Sequence, residues 1–340
     1  MTLSISEILR GCTPGRKQSV GLMEVIPLVS DVEDLRFGTP EDLKLDTHQG
    51  YGNMGFENKS DKIVIVPSHV GYVTGQAAQD HAMCTAGMVK GKSHKVFDTA
   101  ACIQRSQGGH IDDAGIEDMI ILPYSLREKA LSKRNDRRNI GKLWDDIARL
   151  NRKVGARADD AQIKFFLQHF EKQLNQFVAE FEIVPDQVGA IVLIDGHVVG
   201  VERAPTKAFW IAVWESLIRV CYGSLAIEVA TQYGDKLPAP KNRVEVRKAT
   251  SLKDLEAAVN EAAEADEEKT RAEIRKIVED PFIIEQTEPF TQGLALNTIK
   301  NQQFVGQLVM DGDRVCYASM VTTQGWTKNV DWHEATKFKL

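Results

Sequence analysis

Apolar and polar positions alternate over the first third of the chain and then change period. Val20 to Leu28 reads as a strand, with Pro27 suiting an edge or a bulge because it has no N–H to give a neighbour. Asp61 to Pro67 is a second strand, led in by the turn-forming Glu57-Asn-Lys-Ser60, and Thr85–Val89, His94–Cys102 and Met119–Leu122 add three short ones. From Asn139 the spacing becomes helical. Ile140, Leu143, Trp144, Ile147, Leu150 and Val154 fall on one face, and Gly155 supplies a stop. A second helix is expected from Ala161 to about Phe181 behind an Asp159 or Asp160 cap, with Ile163, Phe166, Leu167, Phe170, Leu174 and Phe177 as its stripe. Thr206 to Tyr233 makes a third, rich in apolar residues around Trp210 and Trp214, which together with Trp144 the pattern assigns to core.

Two look-alike segments flank the last stretch of helix. Val188 to Val201 predicts a hairpin turning at Asp195-Gly196, and Val305 to Tyr317 a second turning at Asp311-Gly312, because glycine accepts the positive φ of tight hairpin turns. Each opens on Val-Gly, although the interval from Val-Gly to Asp-Gly differs by one residue; an edge-to-edge pair, and an internal duplication, would account for the likeness. Leu237 to Asn242 reads as a stiff loop. Ser251 then caps a long charged helix that runs to about Glu279 before Pro281, its Glu, Lys and Arg suited to i,i+4 support on an exposed face. The fold class expected is α+β: an antiparallel β-sandwich-like domain over 1–125, then a helix-plus-hairpin domain over 126–340.

Composition narrows the function classes. The chain has 340 residues, is 43% hydrophobic and 26% charged, and carries a formal charge of −6. That balance argues against a general nucleic-acid binder, whose surface is usually basic. The basic run Lys129–Arg138 is the local exception, weighed as a phosphate contact against a solvated helix end. No stretch approaches the roughly 18 uninterrupted apolar residues of a membrane span, and the first ten residues lack a signal-peptide layout. Cys12, Cys84, Cys102, Cys221 and Cys316 are scattered and odd in number, which fits free thiols and a cytoplasmic setting.

Candidate chemistry concentrates between residues 71 and 110. Gln76, Gln79, Gln104 and Gln107 offer amides that both donate and accept, among glycines that let a ligand approach the backbone. The ligand-binding set is Gln79, Asp80, His81, Cys102, Gln104, Gln107 and His110, against the alternative that these groups simply satisfy strand ends. His48, His69, His81, His94 and His110 lie near Cys84 and Cys102, but without His-x-His, Cys-x-x-Cys or helical ligand spacing, so no metal is assigned. Cys102 with His110 offers a nucleophile and base, against the alternative of a buried inert thiol. Asp112-Asp113 and Asp145-Asp146 read as solvated carboxylates. No dinucleotide or Walker fingerprint is present, and no cofactor is assigned.

Gly75 with Gln79-Asp80, Cys102-Ile-Gln104, Gly141-Lys-Leu-Trp144-Asp-Asp-Ile-Ala148, Val188 through Val201 followed by Trp214, and Phe304 to Met320 occur in one order over most of the chain. In that order and spacing the chain resembles the ADP-ribosylglycohydrolase- and rhodanese-phosphatase-superfamily-associated protein family. It departs from the family pattern at Gln104, where a glutamate is expected, at Gly108-Gly109, where Arg-Trp is expected, and at His81, where an arginine is usual. An activity carried by those side chains would be lost or altered here. The resemblance implies a setting in ADP-ribose or nucleotide metabolism and in conflict between bacteria and phages. Three functions follow as expectations. The first is a cytoplasmic binder of a nucleotide- or ADP-ribose-type small molecule. The second is a hydrolase of ADP-ribosyl or cyclic-nucleotide substrates, with His81 or His110 as general base. The third is an interaction protein using the long charged helix and the basic run to assemble with a protein partner or with further copies of itself.

Overall fold

The computed structural model describes residues 2–46, 49, 52–74, 80–105, 116–135, 143–156, 161–233, 251–330 and 332. Its elements open with β1 (Thr2–Leu3), the short helix α1 (Ile5–Ile8), β2 (Thr13–Pro14), β3 (Gln18–Val20) and β4 (Met23–Val29). Then come β5 (Leu43–Asp46), β6 (Met54–Asn58), β7 (Val64–Val66), β8 (Val70–Thr74), β9 (His81–Met83), β10 (Gly87–Val89), β11 (Ser93–Phe97), β12 (Ala100–Cys102) and β13 (Ile116–Ile121). Helices α2 (Tyr124–Ser132), α3 (Trp144–Lys153), α4 (Ile163–His169) and α5 (Glu171–Glu180) precede the hairpin β14 (Gln187–Ile194) and β15 (His197–Arg203). After α6 (Lys207–Ser216), α7 (Gly223–Tyr233) and α8 (Leu252–Val278), the chain closes with β16 (Phe282–Pro289), β17 (Leu294–Lys300), β18 (Phe304–Asp311), β19 (Arg314–Thr322) and α9 (Gln324–Asn329).

A ten-stranded antiparallel sheet organises the molecule, in the order β1-β16-β17-β18-β19-β15-β14-β4-β2, with β3 also on β4. Both faces are covered, so β14 is buried at every position. Ala190, Val192 and Ile194 point into a cluster with Phe209, Trp210, Val213 and Leu217 of the apolar helical segment. Ile191 and Leu193 point the other way, toward Ile5, Ile8, Ile277 and Phe282 on the side of α1 and α8. Period-2 alternation thus serves two cores at once. Pro27 sits where the edge changes hands: β2 pairs with Leu28 and Val29, β3 with Met23 to Val25, and Gly15 N–H donates to the Pro27 carbonyl between them.

The architecture is α+β. Strand pairing does not divide at residue 125, because β4 lies directly on β14 and β1 on β16. The first third also forms three small antiparallel sheets, β10-β7, β11-β6-β5 and β12-β9-β8-β13. Exposed edges from the first third find their partners in late strands, and the hydrophobic cluster under β14 mixes Met23, Val25 and Ile65 with Val305 and Val309.

The two hairpins are neighbours, joined antiparallel through β15 and β19. Asp195 and Gly196 both have positive φ, 51° and 83°, as a type I′ turn needs. In the second hairpin Asp311 pairs with Arg314, so the turn residues are Gly312-Asp313, not the expected Asp311-Gly312. Gly312 has φ 56° at the first turn position, the II′ requirement.

The helices also depart from expectation in detail. The expected 161–181 helix breaks at Phe170, whose φ of −109° and ψ of 16° end α4. The break keeps Ile163, Phe166, Leu167, Phe170 and Leu174 in one cluster. From Thr206, whose hydroxyl accepts from Phe209 N–H at 3.1 Å, the third helix is continuous but widens to π geometry over Leu217–Tyr222. The stretch Lys207–Gln232 is long and apolar enough by composition to cross a membrane, but 78% of its apolar window is buried in the fold, as in a core helix. Helix α8 begins at the Ser251 cap as expected. The Leu237–Asn242 loop lies outside the described residues.

Candidate functional site: a polar sheet end and a buried ion pair

The four-stranded sheet β12-β9-β8-β13 carries the residues singled out from sequence. Gly71 allows β8 to approach β9, since a Cβ there would meet that of Ala82 at 3.1 Å. His81 pairs with Cys102 across β9 and β12, and Thr74 pairs with Ile116 across β8 and β13. Ile103 N–H donates to the Asp80 carbonyl at 2.9 Å. Thr74, His81, Cys102 and Ile116 therefore lie at the same end of one sheet. Gln76, Gln79, Gln107 and His110 lie outside the described residues, as do Gly108-Gly109 and His48.

The structure brings Asp80, His81, Cys102 and Gln104 together, all buried. Gly52 N–H donates to His81 Nε2 at 3.3 Å, which makes that nitrogen an acceptor and puts the ring proton on Nδ1 in the neutral imidazole. Cys102 Sγ donates to the Gln104 carbonyl at 3.1 Å. Gln104 Nε2 donates to Gln162 Oε1 at 3.3 Å, and Asn151 Nδ2 donates to the Gln162 carbonyl at 3.2 Å. Two amide oxygens here, Gln104 Oε1 and Asn151 Oδ1, are buried with no hydrogen-bond partner among the described residues. A buried orphan acceptor costs about 1–3 kcal/mol, so this end of the sheet is poised to take donors. Leu143 N–H donates to the Cys102 carbonyl at 3.3 Å, which ties α3 to the cluster.

The centre of the large sheet holds a second polar group that the sequence reading missed. Arg127 on α2 is fully buried. Its guanidinium donates to Glu202 Oε1 at 2.7 Å, to His69 Nδ1 at 3.2 Å, to Cys221 Sγ at 3.4 Å and to Ser319 Oγ. Tyr222 Oη donates to the same Glu202 oxygen at 2.8 Å. The π-helical turn presents Cys221 and Tyr222 to this centre, and Gly200 leaves room for the ring, because a Cβ there would meet Tyr222 Oη at 2.0 Å. Burial opposes the Arg127 charge, yet the Glu202 carboxylate outweighs it and holds the guanidinium firmly protonated. Burial pushes the Cys221 thiol up to about 12 and the Tyr222 phenol well above its usual range. His69 is held neutral, first by burial and then by Arg127, with the Cys84 carbonyl pulling weakly the other way. The sequence signal was available: Glu202 interrupts a run of inward apolar residues, and Arg127 sits between Leu126 and Ala130.

The remaining candidates disperse. His94 Nε2 meets Asp46 at 2.9 Å at an exposed position, far in role from His69. Trp210 and Trp214 are core as expected, with ring centroids 5.4 Å apart, whereas Trp144 is half-buried on the first turn of α3. The first half of the basic run closes α2, and Arg134 reaches Glu285 and Gln286.

No match is found among curated proteins or among solved structures. The profile of the ARPP-1 family, the ARG and Rhodanese-Phosphatase-superfamily-associated Protein domain, matches residues 11–321. With nearly the whole described fold inside that match, the chain belongs to the ARG and Rhodanese-Phosphatase-superfamily-associated Protein domain family.

Proposed function

We propose that the protein is a cytoplasmic binder of a nucleotide- or ADP-ribose-type ligand, working beside ADP-ribose- or nucleotide-processing enzymes in conflict between bacteria and phages. The carrying observation is the meeting of Asp80, His81, Cys102 and Gln104 at one sheet end, where the Gln104 amide oxygen lacks a donor. Gln79, Gln107 and His110 join the site in this reading. Amide edges and an imidazole suit base and ribose recognition, since they offer both donors and acceptors. The family's association with ADP-ribosylglycohydrolase-type proteins supports the setting.

Thermal melting of the full chain with ADP-ribose, AMP and a cyclic dinucleotide tests the reading, with chromatography of each mixture to detect turnover. A ligand at a hundred times its dissociation constant is expected to add about 2.7 kcal/mol. Gln104→Leu is expected to remove the shift while the ligand-free melt stays close to wild type. Melts unchanged by every compound, or a Gln104→Leu protein that responds as wild type does, would sink the proposal; product formation would move it to the hydrolase.

A further inference from the structure

A groove of about 680 Å³ opens between α2, α3, α7 and α9. That is the size of a small-ligand site, which typically spans about 300–1,000 Å³. Leu150, Leu225, Val229 and Trp332 give it apolar walls. Against them stands Glu228, only 4% exposed. Its Oε2 accepts from Lys153 Nζ at 3.0 Å, whereas its Oε1 is buried with no partner among the described residues. Ser125 Oγ lines the same groove and is likewise buried without one.

We propose that this groove binds a neutral polyhydroxylated ring, a sugar or a nucleoside. Lys153 already neutralises Glu228, so the free carboxylate oxygen calls for a donor that brings no second positive charge. A hydroxyl meets that need, and Ser125 can donate to or accept from a neighbouring one. The C–H faces of such a ring pack on leucine and indole while its hydroxyls reach the two orphan atoms. Charge on the walls balances as well. Glu128, Asp146 and Glu228 face Arg149, Lys153 and Lys328, and Arg149 is itself paired with Asp146 at 3.2 Å. A phosphorylated ligand therefore gains little here over a neutral one.

The inference shares no residue with the strand-end site, so each can fail alone. Ligand-observed NMR on the full chain with adenosine and with methyl riboside reads it directly. At least one probe is expected to receive saturation from the protein, AMP to bind no tighter than adenosine, and Gln104→Leu to bind as wild type. Ser125→Ala and Glu228→Gln are each expected to weaken binding about ten-fold, the loss of one good hydrogen bond. Ser125→Ala removes a single hydroxyl from the first turn of α2, leaves no charge unpaired, and keeps the test valid should Glu228→Gln fold poorly. No transfer to either probe, binding of AMP alone, or Ser125→Ala binding at wild-type strength overturns the proposal.

Discussion

At the scale of single residues, two charged groups illustrate opposite ways of living inside a protein. Arg127 and Glu202 are buried together, and each is tolerable only because the other is present. Removing one partner of such a pair costs about 3–5 kcal/mol, because the survivor stays desolvated and unpaired. Arg127→Met is therefore expected to lose about that much stability in urea titration, and adding Glu202→Leu to recover a large part of it. A single variant within about 0.5 kcal/mol of wild type would show the pair to be marginal. Asp34 is different. Its burial favours the neutral acid, but hydrogen bonds from Arg36 and Arg314 win and hold the carboxyl below its ordinary value of 3.8. A depressed folded pKa gives stability that is complete above 3.8 and drains away as pH falls through the folded value. Asp34→Asn should flatten the acid side of a stability–pH curve measured between pH 5 and pH 2, roughly the carboxylate window. An unchanged slope there would mean that the two arginines are not holding it.

At the scale of elements, the likeness of the two hairpins has a geometric basis. The same sequence interval separates Gly189 from Gly306, Asp195 from Gly312 and Glu202 from Ser319. Glu202 and Ser319 are direct cross-strand partners, so a local two-fold axis runs through that pair. Even the register shifts correspond, between Val192 and Leu193 in one hairpin and between Val309 and Met310 in the other. The repeated Val-Gly now has a cause. A Cβ on Gly189 would meet the Glu202 carbonyl oxygen at 2.3 Å, and one on Gly306 would meet that of Ser319 at 2.3 Å. Backbone cannot yield as a flexible side chain can. Gly189→Ala and Gly306→Ala are each expected to destabilise by about 1–3 kcal/mol, and by similar amounts, in chemical denaturation. If one is silent, the two-fold likeness does not extend to packing. The turns have diverged: Asp-Gly recurs in sequence one residue out of step, which is why sequence alone placed the second turn at Asp311-Gly312.

At the scale of the whole molecule, the chain returns to itself. Strands from the first thirty residues complete a sheet whose other members lie beyond residue 187. A fragment ending at residue 125 would leave β4 without β14 and strip Met23, Val25 and Ile65 of their cover. Such a fragment is expected to show no cooperative thermal transition by circular dichroism; a sharp one would establish the first third as an independent unit. Arg127 belongs to this scale too, since it joins α2 to Glu202 of one hairpin and Ser319 of the other at the local axis.

Local order was legible because it is written at short range. Ser251 capped a helix, Asp195-Gly196 turned a hairpin, and β14 and α8 lie near the bounds read from sequence, while the expected start of α3 at Asn139 lies outside the described residues. The glutamine- and histidine-bearing stretch marked a polar region, and His81, Cys102 and Gln104 do share one sheet end. What sequence did not contain was long-range pairing. Nothing near β4 names β14 as its neighbour, because many apolar strands satisfy the same alternation equally well. The partner is chosen only when all the edges and both faces are covered at once. The orphan oxygen of Glu228 and the burial of Arg127 arise in the same way, from elements distant in sequence closing around them, and there the tertiary structure alone decides which polar atoms are paired and which are left to wait for a ligand.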